Sequence, residues 1–237
     1  DAGRRGGFEP SARSVSAAEA LVRARDVPED LRELLVRRAA QVIDYQDAGR
    51  AARYLNLVEK AAAVDTAEQR WALTTAVAAA WFKVLTYKDE YEVARLHLAT
   101  DYGRMARDLG ITGPYRLQYH LHPPVLRRLG LDRKLPMGRT YELAFRALRH
   151  MKRLRETPLD PFRRDPDRRT ERSLIAEYEA IVEARVVGPG PDYDERLRLA
   201  RSPLDIRGYA GVKEAAVARW RRELGLPAPT GAPAGPA

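Results

Sequence analysis

The sequence predicts a mainly α-helical fold, a multi-helix domain with a small inset β-hairpin, and three observations lead there. Apolar residues recur at helical spacing along most of the chain, one short stretch near residue 119 alternates instead, and no internal repeat of fixed period is visible. With 237 residues, 45% apolar and 32% charged, the chain can bury a core and reads as globular.

The elements follow in order. Residues 1–15 carry Gly and Arg without periodicity and read as a flexible tail. Ser16 with Glu19 has capping-box spacing and predicts a helix start. Leu31, Leu34, Leu35, Ala39 and Val42 form an apolar stripe with charges on the other face, and Leu55, Val58 and Ala62 form the next. Thr66 with Gln69 repeats the capping-box spacing ahead of Trp71, Ala78, Phe82 and Leu85. Leu117, Tyr119 and Leu121 then alternate with Gln118 and His120 until Pro123-Pro124, as a short strand does, and Lys134-Leu135-Pro136-Met137 offers it a partner. Helical spacing resumes at Leu143, Ala147, Met151 and Leu154, again at Leu174, Tyr178, Ile181 and Val182 after Asp165-Pro166, and last at Val212, Ala216, Trp220 and Leu224. Asp192, three before Glu195, marks a further start. Residues 16–225 thus read as one helical module, and 226–237 as a disordered Pro/Ala/Gly tail.

Several function classes are excluded or set aside. There is no cysteine, so this chain can form no disulfide, thiolate nucleophile or Cys-ligated zinc or iron–sulfur site. The apolar stretch from Trp71 to Leu85 is too short to span a bilayer and no signal-peptide core is present, so no membrane association and a cytoplasmic location are expected. The chain begins at Asp1, as expected of a segment from a longer polypeptide. Lys and Arg number 42 against 33 Asp and Glu, a net +9. Because 36 of the 42 are Arg, in a chain also crowded with Ala, Gly and Pro, GC-rich coding explains the excess better than a nucleic-acid footprint; a basic helical nucleic-acid-binding module is the alternative reading.

No phosphate loop, nucleophile elbow, HExxH or EF-hand loop occurs, and no residue is nominated as catalytic, cofactor-binding or metal-ligating. His120 and His122 would share one face of a strand, yet no third ligand is spaced to join them, so they read as structural. Tyr87 to Leu96 (YKDEYEVARL) is the densest polar-aromatic patch; Lys88 with Glu92 and Glu92 with Arg95 have helical pairing distances, which favours structural pairing over acid–base work by Asp89 and Glu90. Arg163, Arg164, Arg168, Arg169 and Arg172 bracket Asp165 and Asp167 at a helix start and read as a solvated charged loop or, less simply, a seat for a phosphate or an acidic protein surface.

Five runs in this order resemble the C-terminal region of the fused indolepyruvate ferredoxin oxidoreductases: YKDEYEVARL from Tyr87, His120-Leu121 with Pro123-Pro124, Thr157 to Phe162 (TPLDPF), Glu171 to Ala180 (ERSLIAEYEA), and Ile206-Arg207-Gly208-Tyr209 through Val212 to Ala215. The resemblance covers about Ala39 to Arg222 and departs from the family pattern at His122 and Ala216. It implies an enzyme that decarboxylates 2-oxo acids such as aryl pyruvates with thiamine diphosphate and magnesium, coenzyme A and [4Fe-4S] clusters, passing electrons to ferredoxin. None of those cofactors is expected on this segment, which by itself is expected to be non-catalytic. Its expected partners are other domains of the same polypeptide, a second protomer of a homo-oligomer, and ferredoxin. The candidate interaction residues are Tyr87, Lys88, Asp89, Glu90, Tyr91, Arg95, His120, Arg163, Arg164, Arg168, Arg169, Arg207, Lys213 and Glu214.

Overall fold

The computed structural model describes residues 9–113, 119–121, 135–137, 140–208 and 210–227. Among them are ten α-helices, so the class is mainly helical. In chain order these are α1 (Ala12–Arg23), α2 (Arg32–Tyr45), α3 (Ala48–Ala62), α4 (Ala72–Leu85), α5 (Glu90–Ala99), α6 (Tyr102–Asp108), α7 (Thr140–Met151), α8 (Pro166–Ile181), α9 (Tyr193–Arg201) and α10 (Ala210–Glu223). Between α6 and α7, β1 (Tyr119–Leu121) pairs antiparallel with β2 (Leu135–Met137), Tyr119 opposite Met137 and Leu121 opposite Leu135. The residues joining the two strands, and Leu117, Gln118 and His122, lie outside the described residues.

The chain divides into two compact units, one built on Lys88–Asp165, the other on Glu9–Tyr87 together with Pro166–Ala237. In the larger unit α4 is the central helix. Its sequence, ALTTAVAAAWFKVL, is apolar nearly all round, as a helix buried on several sides must be. α3, α8 and α9 pack on it, and Leu73, Val77, Trp81 and Leu85 are fully or almost fully enclosed. α1 packs on α2 and α2 on α3. The core is rich in tyrosine, whose hydroxyls need acceptors once buried. Tyr45 donates to the Tyr87 carbonyl at 3.1 Å, Tyr54 to that of Ala78 at 3.2 Å, and Tyr178 to that of Ala200 at 2.7 Å. The smaller unit packs α5 against α7 and has a thinner apolar interior, with Tyr91, Ala94, Ala106 and Phe145 its buried apolar residues among those described.

Several start signals move. α1 begins at Ala12, capped by Ser11, whose hydroxyl accepts from the Ser14 amide, so the Ser16–Glu19 pair sits inside the helix and residues 12–15 are not a loose end. Thr66 accepts from the Gln69 amide at 3.4 Å but closes only a turn; α4 starts at Ala72, after Arg70 and Trp71 take left-handed backbone angles (φ 53 and 54), which leaves Trp71 outside the helix. Asp165-Pro166 and Asp192 mark helix starts as expected, the Asp192 carboxylate accepting from the Glu195 amide at 2.9 Å. Two stripes are misplaced. Leu143 and Ala147 face solvent while Phe145 is the buried residue of α7, and Val212 is exposed while Ala216, Val217, Trp220 and Leu224 are buried. Leu226 packs partly buried against the core and so belongs to the fold, not the tail.

α8 widens over Val182–Val187 into a π-type turn that ends at Gly188. A Cβ on Gly188 would lie 2.4 Å from the Ala184 carbonyl oxygen, a backbone atom that cannot step aside. Gly188→Ala is therefore expected to lower the urea midpoint by the equivalent of about 1–3 kcal/mol. Gly211→Ala, in the first turn of α10 with open space around its Cα, is expected to shift the midpoint the other way by about 0.5–1 kcal/mol. Equal shifts at the two sites would show that chain stiffness, not the Ala184 contact, governs both.

Candidate functional site

In the smaller unit, a polar cluster joins the beginning of the segment to its end. Asp89 caps α5: its Oδ1 accepts from the Glu92 amide at 2.8 Å. The same carboxylate takes both arms of Arg155, Nε at 2.6 Å and Nη2 at 2.9 Å, with side-chain exposures of 2% and 1%. The Arg155 guanidinium lies 5.6 Å from the Tyr91 ring centroid, and the edge of Phe162 meets that ring at 5.4 Å and 76°. Tyr91 donates to Asp160 Oδ1 at 2.8 Å, and Asp160 also accepts from the amides of Phe162 (3.0 Å) and Glu156 (3.2 Å). Burial, and then the hydrogen bond to Asp160, raise the Tyr91 pKa, which keeps the phenol a donor. On the same unit His97 stacks on Phe145 at 5.3 Å and hydrogen-bonds the Tyr102 hydroxyl, joining α5, α6 and α7; burial lowers its pKa.

In the larger unit, Lys83 is the one charged residue of α4. Its ammonium donates to three backbone carbonyls, Pro203 (2.9 Å), Leu204 (2.7 Å) and Ile206 (2.8 Å), closing off the 3-10 turn Ser202–Asp205. Lys213 of α10 pairs with the buried Glu171 of α8 nearby, and Arg221 binds Glu177 (2.8 Å) and Ser173 (2.8 Å) along the same helix pair. Burial first, then the charges of Arg207 and Lys213, push the Lys83 pKa down to about 8 against the opposing pull of Asp205 and Glu171. A third buried acceptor, Asp65, takes the amide and hydroxyl of Thr74 (both 2.8 Å) and the Tyr193 hydroxyl (3.0 Å), pinning the start of α4 to α9.

These placements sort the candidates named from the sequence. Asp89 and Tyr91 are buried in the cluster of the smaller unit. Arg95 grips Glu92 with two bonds (2.7 and 2.8 Å), but Glu92 is 8% exposed, so the pair is enclosed and not on a solvated face. Lys88 is exposed and precedes α5, which removes it from helical register with Glu92; Glu90 is half-buried at the helix start. Tyr87 belongs to the larger unit, buried edge-on to Tyr45 at 6.2 Å with the Arg168 guanidinium 5.9 Å from its ring centroid. Arg163 and Arg164 are exposed in the smaller unit, whereas Arg168 and Arg169 lie in the first turn of α8 in the larger one, so the arginine run is split between units. Arg207 and Glu214 are exposed and Lys213 is paired with Glu171. His120 lies in β1, and its side chain is outside the described residues. Arg155, Asp160, Lys83 and Glu171 were not among the candidates. A lone lysine in an otherwise apolar helix was the one signal that marked Lys83; nothing local marks Arg155.

The chemistry of these clusters is that of holding. Every carboxylate oxygen of Asp89 and Asp160 accepts a hydrogen bond, so the two acids hold Arg155, Tyr91 and three backbone amides in place. Asp89 is bound to Arg155 and caps α5, while Glu90 is the first residue of that helix. Among the described residues no group of three or more His, Asp or Glu is placed to hold a metal ion. No helix of the described residues is long and apolar enough to cross a membrane. A family model described as "Family of unknown function (DUF6537)" matches residues 31–225. No curated protein matches the chain, and no solved structure does.

Two predictions follow from the buried charges. Arg155→Met leaves Asp89 buried without its cation and is expected to destabilise the protein by about 3–5 kcal/mol, while adding Asp89→Asn recovers more than half of that loss; a double mutant no better than the single would mean that Arg155 acts through packing alone. For Lys83, an unfolded chain holds the proton up to about 10.5 whereas the folded one releases it near 8. Between those values the unfolded state binds the extra proton, so the native protein should gain stability relative to Lys83→Met as pH rises from about 8. Comparing with the variant is needed because Tyr54, Tyr91 and Tyr178, raised by burial, oppose the gain above pH 10 in both proteins. A flat difference in urea midpoint from pH 7 to 10 would contradict the assignment.

Proposed function

The chain belongs to the DUF6537 family, and from that premise we propose that it is the non-catalytic structural and interaction module of an indolepyruvate:ferredoxin-type oxidoreductase. The observation that carries this reading is how the runs behind the resemblance pair in space. Tyr91 of the first bonds Asp160 and meets Phe162 of the third, and Glu171 of the fourth bonds Lys213 of the fifth. Residues that mark a family and pair across the sequence, with their reactive atoms already bonded, are what a module that positions other domains requires. The finer architecture, a hairpin formed by β1 and β2 and inset in the helices, belongs to the same proposal, as does a cytoplasmic location.

The whole enzyme would use thiamine diphosphate with magnesium, coenzyme A and [4Fe-4S] clusters to decarboxylate aryl pyruvates oxidatively to acyl-coenzyme A. The donor set of this chain does not fit the clusters, because a chain without cysteine has no thiolate to ligate iron. The clusters therefore reside on other parts of the enzyme, and the task of this module is to hold those parts, or a second protomer, in register.

The test uses the native polypeptide that carries this chain, purified anaerobically. Aryl-pyruvate-dependent reduction of a viologen dye, with coenzyme A and thiamine diphosphate added, is expected in the intact protein. Deleting the module is expected to abolish assembly, measured as the native mass, together with turnover. Absence of the activity in the intact protein rejects the enzyme assignment, and unchanged assembly and turnover after deletion reject the structural role.

A further inference from the structure

An arginine that folding takes partly out of water loses hydration, and in the larger unit an acceptor usually replaces it. Arg25 holds Glu59, Arg53 holds Glu179, Arg221 holds Glu177, and Arg50 donates to the Leu85 carbonyl. Arg38 of α2 departs from this pattern. It is half-buried, yet it makes no ion pair with a described residue, and its hydrogen bond goes to a neutral amide, Nη1 donating to Gln41 Oε1 at 3.3 Å. The sequence supplies the reason. Three and four positions away on the helix stand Leu34, Leu35, Gln41 and Val42, none of them an acid, and the adjacent charge is that of Arg37.

The surroundings of Arg38 leave one part of it open. Its guanidinium carbon sits over the half-buried Phe82 ring of α4, 4.3 Å from the centroid. A ring covers a face of the cation and leaves the N–H groups along its edges, where a carboxylate binds in plane through two of them. Gln41 engages Nη1; no described residue accepts from Nε or Nη2, and that edge reaches solvent. The Nε and Nη2 edge is the one that Arg53, Arg155 and Arg221 present to their carboxylates. Burial lowers the Arg38 pKa, Tyr54 opposing the fall and Arg37 adding to it; an anion on the open edge would restore it.

We propose that Arg38, standing on Phe82 and steadied by Gln41, is a binding site for a carboxylate group, carried by an Asp or Glu of another protein surface or by a small organic acid. A phosphate dianion fits less well. It calls for a second cation aimed at the same point, and Arg37, as the sequence neighbour, projects from a different side of the helix. The proposal goes beyond the oxidoreductase reading and does not depend on it.

The experiment follows the Arg38 Nε–H resonance of the whole chain by NMR, assigned by its loss in Arg38→Met. The probes are two capped peptides identical except for a single Glu or Gln, benzoate, and inorganic phosphate. A carboxylate probe is expected to move the resonance to saturation, with the Gln peptide and phosphate weaker by about tenfold or more. Arg38→Lys keeps the charge but loses the two-pronged edge, and should weaken carboxylate binding by about tenfold, read on the backbone amides of α2. The exposed Arg70 is the control, its resonance shifting without saturation. Circular dichroism checks that each variant folds. Tighter binding of the Glu peptide than of benzoate assigns the site to a protein side chain, and the reverse order to a small acid; both uphold the proposal. Equal affinities for the Glu and Gln peptides, tighter binding of phosphate, undiminished binding to Arg38→Met, or no saturable shift with either carboxylate overturns it.

Discussion

The Asp89–Arg155 pair is the constraint around which the smaller unit is arranged. A segment inserted between two parts of another unit must bring its end back to its beginning, and the apolar residues available to do so here are few. A buried ion pair is a demanding substitute, because removing both charges from water costs several kcal/mol per ion unless geometry and neighbouring hydrogen bonds offset it. Both conditions are met. The guanidinium is bidentate, the carboxylate takes a helix-start amide in addition, and the Tyr91 ring lies beside the cation. The Tyr91–Asp160 bond then repeats the closure a few residues further on.

The larger unit solves a related problem differently. α4 is surrounded, so its neighbours can pack on it from several sides, but the irregular turn Ser202–Asp205 exposes carbonyls against it. Lys83 meets three acceptors with the three donors of one ammonium, which no hydroxyl or amide could match at a single atom. Asp65 performs the converse task at the other end of α4, meeting the donors of its first turns. The central helix is thereby fixed at both ends by polar atoms and along its length by apolar contact, which sets its register as well as its depth.

Helix class and most helix positions were legible in the sequence because they depend on local periodicity. Leu35, Ala39 and Val42, or Leu174, Tyr178 and Ile181, announce a buried face that any packed helix would need. Starts were legible only where the cap was unambiguous, as at Asp192; Ser16 and Glu19 have the same spacing as a true box, and only the Asp44 carboxylate, which binds the hydroxyls of Ser11 and Ser14, selects the earlier start. The α7 stripe failed for a physical reason. Leu143 and Ala147 are spaced for burial, but the unit has too little interior to cover two faces, and the larger Phe145 takes the one available. Of the site, the polar-aromatic run around Asp89 and Tyr91 could be singled out, but not its partners, because Arg155 lies 66 residues away and looks like any other arginine in an arginine-rich chain.

That same richness explains why net charge was a poor guide until the fold was known. Summed over 237 residues, +9 fits base composition as well as it fits binding. Salt bridges engage some of these cations: Arg25 with Glu59, Arg53 with Glu179, and Arg221 with Glu177 each tie elements of the larger unit together. In the smaller unit Asp89, Glu92 and Asp160 are buried, and Asp89 and Glu92 hold Arg155 and Arg95 beside them. Each of these two pairs withdraws one acid and one base from the surface together, so closing the unit by ion pairing leaves its surface charge balance as it was.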